Sequence, residues 1–448
     1  MASVAEQLAA NINFSAFAKA TELKKRLWFT LGCLVVFRLG TYIPLPGIDA
    51  AVMAQIFERQ QGGILGMFNM FAGGALERMS IFALGILPYI SAAIIMQLMT
   101  AVSPTLEQLK KEGEVGRKKI NQYTRYLTVV LSAFQAYGLA VGLEAMSGPG
   151  GSAVIDPGWF FRATTVITVV GGTMFLMWLG EQITARGVGN GISLIIFTGI
   201  IAQLPPALVA LLELGRTGVM SPLAIVTFMV FALAVITFIV FMERAHRRIL
   251  VQYPKRMVGG NRMVGGESSH MPIKLNISGV IPAIFASSLL LLPSTIGGFS
   301  AGTGPDWLLT ITAVLGPGQP LYLVLYAALV IFFAFFYTSI VFNPKETAEN
   351  LRKHGGFIPG IRPGEKTAQY FDYVITRLTT VGAIYLAAVT VLPQVLITQY
   401  GLPFFFGGTS LLIVVSVTMD TVAQIQSHLI AHQYEGLIKK ARLRGRRR

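Results

Sequence analysis

Long uncharged runs of apolar residues recur along the chain, and they constrain its fold more than any other feature. About 20 apolar residues are needed to cross the hydrocarbon core of a bilayer, so each run predicts a transmembrane helix. Only 13% of the residues are charged, whereas a soluble domain carries roughly 25%, and a soluble globular protein is therefore excluded. We predict ten spans, at residues 27–43, 81–102, 126–143, 163–180, 188–212, 219–242, 275–299 and 321–342, with two more on either side of a Pro- and Gly-containing break within 378–419.

The Lys and Arg residues test this map, because short cytoplasmic loops are enriched in them and exported loops are not. Nearly all of the 36 basic residues fall in alternate segments, namely the N-terminal segment, the loops before spans 3, 5, 7 and 9, and the C-terminal tail. Both termini are thus predicted to lie in the cytoplasm. The net charge of +15 then reflects topology and does not indicate specific DNA binding.

Two features depart from a plain series of apolar spans. Arg38 lies inside the first span, where a charge near the bilayer centre costs about 2.5–3.5 kcal/mol on insertion scales. The segment 62–79 is rich in Gly and apolar on one face, but it has too few apolar residues to cross. It is either a re-entrant segment, which requires a surrounding cavity of protein or water, or an amphipathic helix on the outer surface.

The sequence lacks the motifs that would indicate catalysis, metal binding or cofactor binding. Cys33 is the single cysteine, which excludes an intramolecular disulfide, and the Gly-Lys pair of a P-loop does not occur. RGVGNGIS at 186–193 superficially resembles a dinucleotide loop, but no strand precedes it, so we interpret it as a turn that opens a helix. His428 and His432 have i, i+4 spacing without a third metal ligand. We expect no catalytic residue, no cofactor and no metal.

Six segments carry a resemblance to one known family. They are ALGILPYISAAIIMQL at 83–98, GEQITARGVGNGISLIIF at 180–197, GVIPAIFASS at 279–288, VFNPKETAENL at 341–351, PGIRPGEKTAQY at 359–370 and GGTSLLIVVSV at 407–417. Through them the chain resembles the bacterial SecY family, whose members are the channel subunits of protein translocons. The resemblance covers essentially every span and every long loop in order.

The resemblance implies an all-α polytopic membrane fold with ten transmembrane helices in two inverted-topology halves, arranged as a clamshell with a short re-entrant plug helix. Spans 2, 3, 7 and 8 would form a lateral gate that opens the pore sideways to lipid. The implied division is a cytoplasmic segment 1–26, an N-terminal half 27–204, a hinge loop 205–220, a C-terminal half 221–430 with basic cytoplasmic loops at about 243–274 and 343–377, and a basic cytoplasmic tail 431–448.

The resemblance also implies three groups of functional residues. An aliphatic pore ring between the halves would consist of Ile86, Ile90, Ile192, Ile196, Ile284 and Ile413. The plug, on the outer side of this ring, would consist of Gly66, Met67, Phe68, Asn69, Met70, Phe71, Ala72, Gly73, Gly74, Ala75, Leu76, Glu77 and Arg78. Docking of a motor or a ribosome would involve Lys255, Arg256, Arg362, Pro363 and Gly364.

The implied function is that of a passive protein-conducting channel in the bacterial cytoplasmic membrane, and not that of an enzyme. Such a channel exports unfolded polypeptides and releases transmembrane segments sideways into lipid. The implied partners are the small membrane subunits SecE and SecG, the SecA ATPase, the ribosome, signal peptides, nascent or secretory polypeptides and anionic lipids.

Two other classes of function stay open from the residues alone. A secondary transporter with inverted repeats binds its solute near the bilayer midplane, and the scattered ionisable residues Arg38, Glu181 and Asp420 are weak support for such a site. A membrane-embedded scaffold or insertase without a continuous pore is the second class. A polar substitution at Ile90 or Ile196 distinguishes them, because only a translocation pore would then admit ions.

Overall fold

The computed structural model describes residues 20–49, 52–53, 55–56, 69, 72–145, 147–148, 151–218, 221–253, 256–258, 262–264, 268–299, 314, 319–400 and 408–445. Within these ranges the helices are α1 Thr21–Gly40, α2 Leu87–Val102, α3 Pro104–Lys111, α4 Glu114–Ala145, α5 Trp159–Arg186, α6 Gly191–Ala202, α7 Leu204–Arg216, α8 Pro222–Arg244, α9 Ile281–Phe299, α10 Pro320–Val341, α11 Pro344–Lys353, α12 Glu365–Tyr400 and α13 Gly408–Gly445. The strands are β1 Ser147–Gly148, β2 Gly151–Ser152, β3 His246–Gln252, β4 Arg256–Val258, β5 Arg262–Val264 and β6 Ser268–Lys274.

A helix lies at each of the ten predicted spans, and α6 with α7 forms the fifth. Seven helical stretches of the described ranges are long and apolar enough to cross a membrane, and the pair α2 and α3, bent by 99°, can provide an eighth. The remaining two predicted spans correspond to α1 and α9. The predominantly helical membrane fold expected from hydropathy is therefore confirmed.

The outer surface of α8 shows that lipid is its solvent. Only 6% of its apolar stretch is buried inside the protein, and Leu223, Val230 and Phe241 all point outward. A helix that is apolar on all sides and yet unburied is stable only in hydrocarbon.

Several helices begin at the residues that local chemistry favours. The Asn190 side chain accepts hydrogen bonds from the amides of Ile192 and Ser193 at the start of α6, and Ser221 accepts from the amide of Ala224 at the start of α8. Such side chains satisfy amides that have no partner within the first turn. The RGVGNGIS segment is thus a turn that opens a helix, as predicted.

Helices from the two halves of the sequence pack directly against each other. α9 contacts α2 and α4, while α13 contacts α6 and α1. One large apolar cluster extends through both halves and includes buried side chains such as Leu84, Ile200, Phe285 and Leu412. The two halves therefore share one core over the described residues.

The strands β3 and β6 form an antiparallel pair that the helical interpretation of the sequence did not anticipate. His246 pairs with Lys274 at one end and Gln252 with Ser268 at the other. Ile249 and Ile273 are buried in a second apolar cluster with Phe371 of α12. In β3 the buried side chains of Ile249 and Val251 alternate with more exposed neighbours, which is typical of a half-buried strand. The sequence does not show this alternation, because Leu250 between them is also apolar.

Two predicted segments differ in local structure from their sequence-based description. The hinge loop predicted at 205–220 is helical as far as Arg216, because α7 begins at Leu204 with proline in its first turn, where proline is tolerated. Of the predicted plug helix, residue 69 and residues 72–78 are described, whereas Gly66, Met67, Phe68, Met70 and Phe71 lie outside the described residues. Residues 72–79 form consecutive turns and not a regular helix.

Candidate functional site

The six isoleucines of the predicted ring all belong to the central apolar cluster. Ile86, Ile90, Ile196 and Ile413 are buried in it, with exposures of 7% or less. Ile192 and Ile284 are partly buried and pack against the same cluster. The six come from α6, α9, α13 and the start of α2, which is to say from both halves.

The local backbone determines how these side chains are presented. Ile86 is the N-cap of α2 and follows Gly85, whose φ of +56° makes the turn into the helix. Ile90 lies one turn further on, and Ile192 and Ile196 are likewise one turn apart on α6. Side chains four residues apart share one helix face. The set offers branched hydrocarbon and no charge, so it can exclude water and ions by dewetting.

Residues 72–78, the described C-terminal part of the predicted plug, are called the plug segment below. Ala72, Ala75 and Leu76 are almost completely buried. A β-carbon on Gly73 would lie 2.8 Å from Cα of Gly199, which is three residues beyond Ile196 on α6. The plug segment therefore contacts the same helix that carries two members of the ring, immediately next to them.

Hydrogen bonds hold the plug segment in a closed loop. The side-chain oxygen of Asn69 accepts from the amide of Glu77 at 2.9 Å, and its nitrogen donates to the Glu77 carboxylate at 3.1 Å. The carbonyl of Met79 accepts from the amide of Leu45 at 2.8 Å. Gly73 and Gly74 have φ of +67° and +83°, values that side chains other than glycine rarely adopt.

Two arginines lie beside this loop and flank one tyrosine. The guanidinium carbons of Arg38 and Arg78 are 5.2 and 4.1 Å from the centre of the Tyr42 ring. Tyr42 follows α1 and is exposed.

The helices at the predicted lateral gate are in contact, since α9 packs against α2, α4 and α10. These helices carry buried small polar side chains, including Ser91 on α2, Ser132 on α4 and Ser287 on α9. Among the described residues, Gln97 Oε1 and Ser288 Oγ are buried without a hydrogen-bond partner. The sequence analysis missed these residues, although polar residues at i, i+4 spacing within α4, namely Thr124, Thr128 and Ser132, were a visible signal.

The predicted docking residues lie on two loops, predicted to be cytoplasmic, that the structure joins. Gln252 of β3 and Phe357 exchange backbone hydrogen bonds of 2.8 and 2.9 Å. Arg362 and Pro363 are exposed, and Gly364 has φ of +109°. Arg256 begins β4, while Lys255 lies outside the described residues. The described residues contain no group of three or more His, Cys, Asp or Glu side chains that could hold a metal ion.

Comparison with solved structures identifies the class of the fold. A structure described as that of a protein conducting channel matches with a TM-score of 0.64 and 19% identity, over 91% of this chain and 92% of its own. Sec61 in the canine ribosome-channel complex from the endoplasmic reticulum gives a TM-score of 0.63 at 17% identity, over 91% and 92%. This is the fold of the membrane-embedded protein-conducting channels.

Sequence comparison then identifies the family. The family model SecY matches residues 80–422. The protein translocase subunit SecY of Escherichia coli K12 is 58% identical over 425 residues, 95% of this chain and 96% of that protein. The SecY subunit of Vibrio cholerae serotype O1 is 55% identical over 435 residues, 96% and 97% of the two chains. The chain belongs to the SecY family, which confirms the resemblance and the expectation of a channel rather than an enzyme.

Proposed function

We propose that this chain is the central channel through which unfolded polypeptides cross a membrane and from which transmembrane segments leave sideways into lipid. The observation that supports the proposal is that six isoleucines from both halves are buried in, or pack against, one apolar cluster that also contains Ala72, Ala75 and Leu76 of the plug segment. Family membership supports this function and not the alternative of a solute transporter.

The ring provides a constriction that seals without binding its substrate. Apolar side chains resist water and ions by dewetting, and branched hydrocarbon can pack around any residue of a passing chain. Ile86, Ile90 and Ile413 carry no hydrogen-bonding group, so no substrate sequence is read here. The plug segment, seated on α6 beside Ile196, covers the ring from the outer side in the resting state.

The interface of α9 with α2 and α4 is the exit for transmembrane segments. About 20 apolar residues, each worth roughly −0.3 to −0.6 kcal/mol, favour lipid, while one or two charges at about 3 kcal/mol each reverse the balance. Buried polar groups such as Ser91 and Ser287 weaken the closed interface relative to a purely apolar one, because apolar packing there is partly replaced. Separation of α9 from α2 and α4 then exposes a passing segment to lipid.

The membrane arrangement and the partners follow from the same proposal. The chain is a multi-pass protein of the bacterial inner membrane with both termini in the cytoplasm, which the distribution of basic residues supports. SecE and SecG are its small membrane subunits. SecA and the ribosome dock on the cytoplasmic surface joined by Gln252 and Phe357, with Arg256, Arg362 and their neighbours as contacts. Signal peptides and secretory chains are the substrates. Anionic lipids bind the Lys and Arg side chains of the basic cytoplasmic loops.

The same proposal divides the chain into two moving halves, 27–204 and 221–430, with the intervening residues 205–220 as the hinge. In this arrangement α6 and α13 remain in contact near the hinge side, while α9 moves away from α2. The helical conformation of α7 makes the connection between the halves a rigid arm, with bending confined to its ends.

Ion conductance of the reconstituted channel complex tests the pore. Ile196→Asn should increase the resting ion leak of vesicles and allow export of precursors with defective signal sequences, because a polar group in the ring lowers the dewetting barrier. The matched control is Ile167→Asn on α5, since Ile167 is 73% exposed to lipid. An Ile196→Asn complex that assembles and stays as tight as the unsubstituted one would contradict the pore assignment.

A further inference from the structure

Arg38 is the intramembrane charge that the sequence left without a partner, and the structure supplies one. Its Nη1 donates a hydrogen bond to the carbonyl oxygen of Gly73 at 2.6 Å, across a sequence separation of 35 residues. Its Nη2 donates to the Tyr42 hydroxyl at 3.3 Å. Among the described residues, Arg38 forms no ion pair with a carboxylate. The plug segment therefore provides a main acceptor for this guanidinium.

The accepting carbonyl belongs to Gly73, where the plug segment is closely packed against α6. Gly73 has φ of +67°, and a β-carbon there would meet Gly199 of α6 at 2.8 Å. The backbone of Gly73 thus packs against α6, the helix that carries Ile196. The carbonyl oxygen of Gly73 accepts the hydrogen bond from Arg38. α1 and α6 hold the plug segment from two sides.

The second contact of Arg38 is with Tyr42, whose ring also contacts Arg78 of the plug segment. Tyr42 follows α1 four residues beyond Arg38 and keeps the guanidinium near its ring and hydroxyl. This contact does not pass through Gly73, so in our proposal it is kept when Gly73 moves away. The guanidinium then stays in position to receive Gly73 again.

We propose that Arg38 is a positioning residue that holds the plug segment over the apolar ring through the Gly73 carbonyl and releases it when a polypeptide enters. This inference rests on the proposed function of the chain as a channel closed by a plug. A hydrogen bond to a charged group stabilises more than a neutral one, and here it is made only in the resting position. Arg38 therefore biases the channel towards its closed state without contacting the ring itself.

Resting ion leak of the full channel complex in sealed vesicles tests the proposal. Arg38→Gln should increase the leak about tenfold, because loss of a hydrogen bond of this class shifts the closed-to-open equilibrium by about one order of magnitude. Arg38→Lys keeps the charge and hydrogen-bond donors but on a shorter, non-planar head group, so its leak should lie between those of the unsubstituted complex and Arg38→Gln. Arg377→Gln is the control, since Arg377 is an exposed arginine on α12 that lies 4.3 Å from the centre of the Tyr373 ring and is distant in sequence from the plug.

A second readout separates this role from a merely structural one. With a precursor stalled in the pore the plug segment is already displaced, so Arg38→Gln and the unsubstituted complex should leak equally. A structural defect would instead raise the leak in both states and lower the thermal midpoint of the complex. Such a parallel change would overturn the proposal, and if Arg38→Gln does not assemble, an Arg38→Lys complex that is as tight at rest as the unsubstituted one would also overturn it.

Ile196→Asn, measured in the same vesicles, distinguishes a failure of the proposed role of Arg38 from a failure of the proposed pore. If Ile196→Asn leaks and Arg38→Gln does not, the pore stands and the role of Arg38 is wrong. If Ile196→Asn also stays tight, the proposed pore itself is wrong.

Discussion

The backbone amide of Gly189 donates a hydrogen bond to Oε1 of Gln424 at 2.8 Å, although 235 residues separate the two in sequence. The neighbouring amide of Val188 donates to Thr30 Oγ1 at 3.1 Å. The short turn between α5 and α6 is thereby bonded to α13 in one half and to α1 in the other. The glycine-rich sequence that superficially resembles a phosphate-binding loop is instead a connection between helices.

Replacing Gln424 tests this connection. Gln424→Ala removes the acceptor of a partly buried amide, and we expect a loss of about 1 kcal/mol of stability, measured as a lower denaturation midpoint of the purified complex. Gln424→Glu keeps a side-chain acceptor for the Gly189 amide, so it should lose less stability than Gln424→Ala. Gln426→Ala, two residues further along α13, is the matched control. Equal midpoints for Gln424→Ala and Gln426→Ala would show that the bond to Gly189 contributes nothing measurable.

Asn276, which lies just before the start of α9, allows a second prediction. Its Nδ2 donates to the buried carboxylate of Glu243 at 2.7 Å and to the carbonyl of Gly279 at 3.1 Å, and its Oδ1 accepts from Ser278 Oγ at 3.1 Å. Asn276→Leu leaves the Glu243 carboxylate buried without this donor, so we expect a destabilisation of about 3 kcal/mol. Chemical denaturation of the complex in detergent measures it.

The double variant Glu243→Leu with Asn276→Leu provides the internal control for that cost. Since both polar partners are then absent, the double variant should lose clearly less stability than the sum of the losses of the two single variants. Strictly additive losses would mean that the two side chains do not depend on each other.

The helices at the ten spans could be predicted from sequence because burial in lipid is a property of each segment by itself. Apolar length selects the span, and local caps such as Asn190 and Ser221 place the helix starts. The β3–β6 pair was missed because its strands stabilise each other across an intervening loop and against Phe371, a residue that lies far away in sequence.

The ring residues were assigned through family motifs, and the sequence offered no physical reason to prefer Ile90 over a lipid-facing isoleucine such as Ile167. Their burial in one cluster depends on how α2, α6, α9 and α13 pack. The energetic problem posed by Arg38 was visible in the sequence, but its acceptor was not.

The amino-acid sequence by itself determined the approximate positions of the membrane spans, the turn that opens a helix at residues 186–193 and the cost of an arginine within the first span. These depend on interactions of each segment with solvent or with its own neighbours. Only the tertiary structure decided that Gly73 lies against Gly199, that its carbonyl meets Arg38 and that Gly189 meets Gln424. Such contacts join residues far apart in the chain, and they exist only where packed helices bring a donor and an acceptor within hydrogen-bond distance.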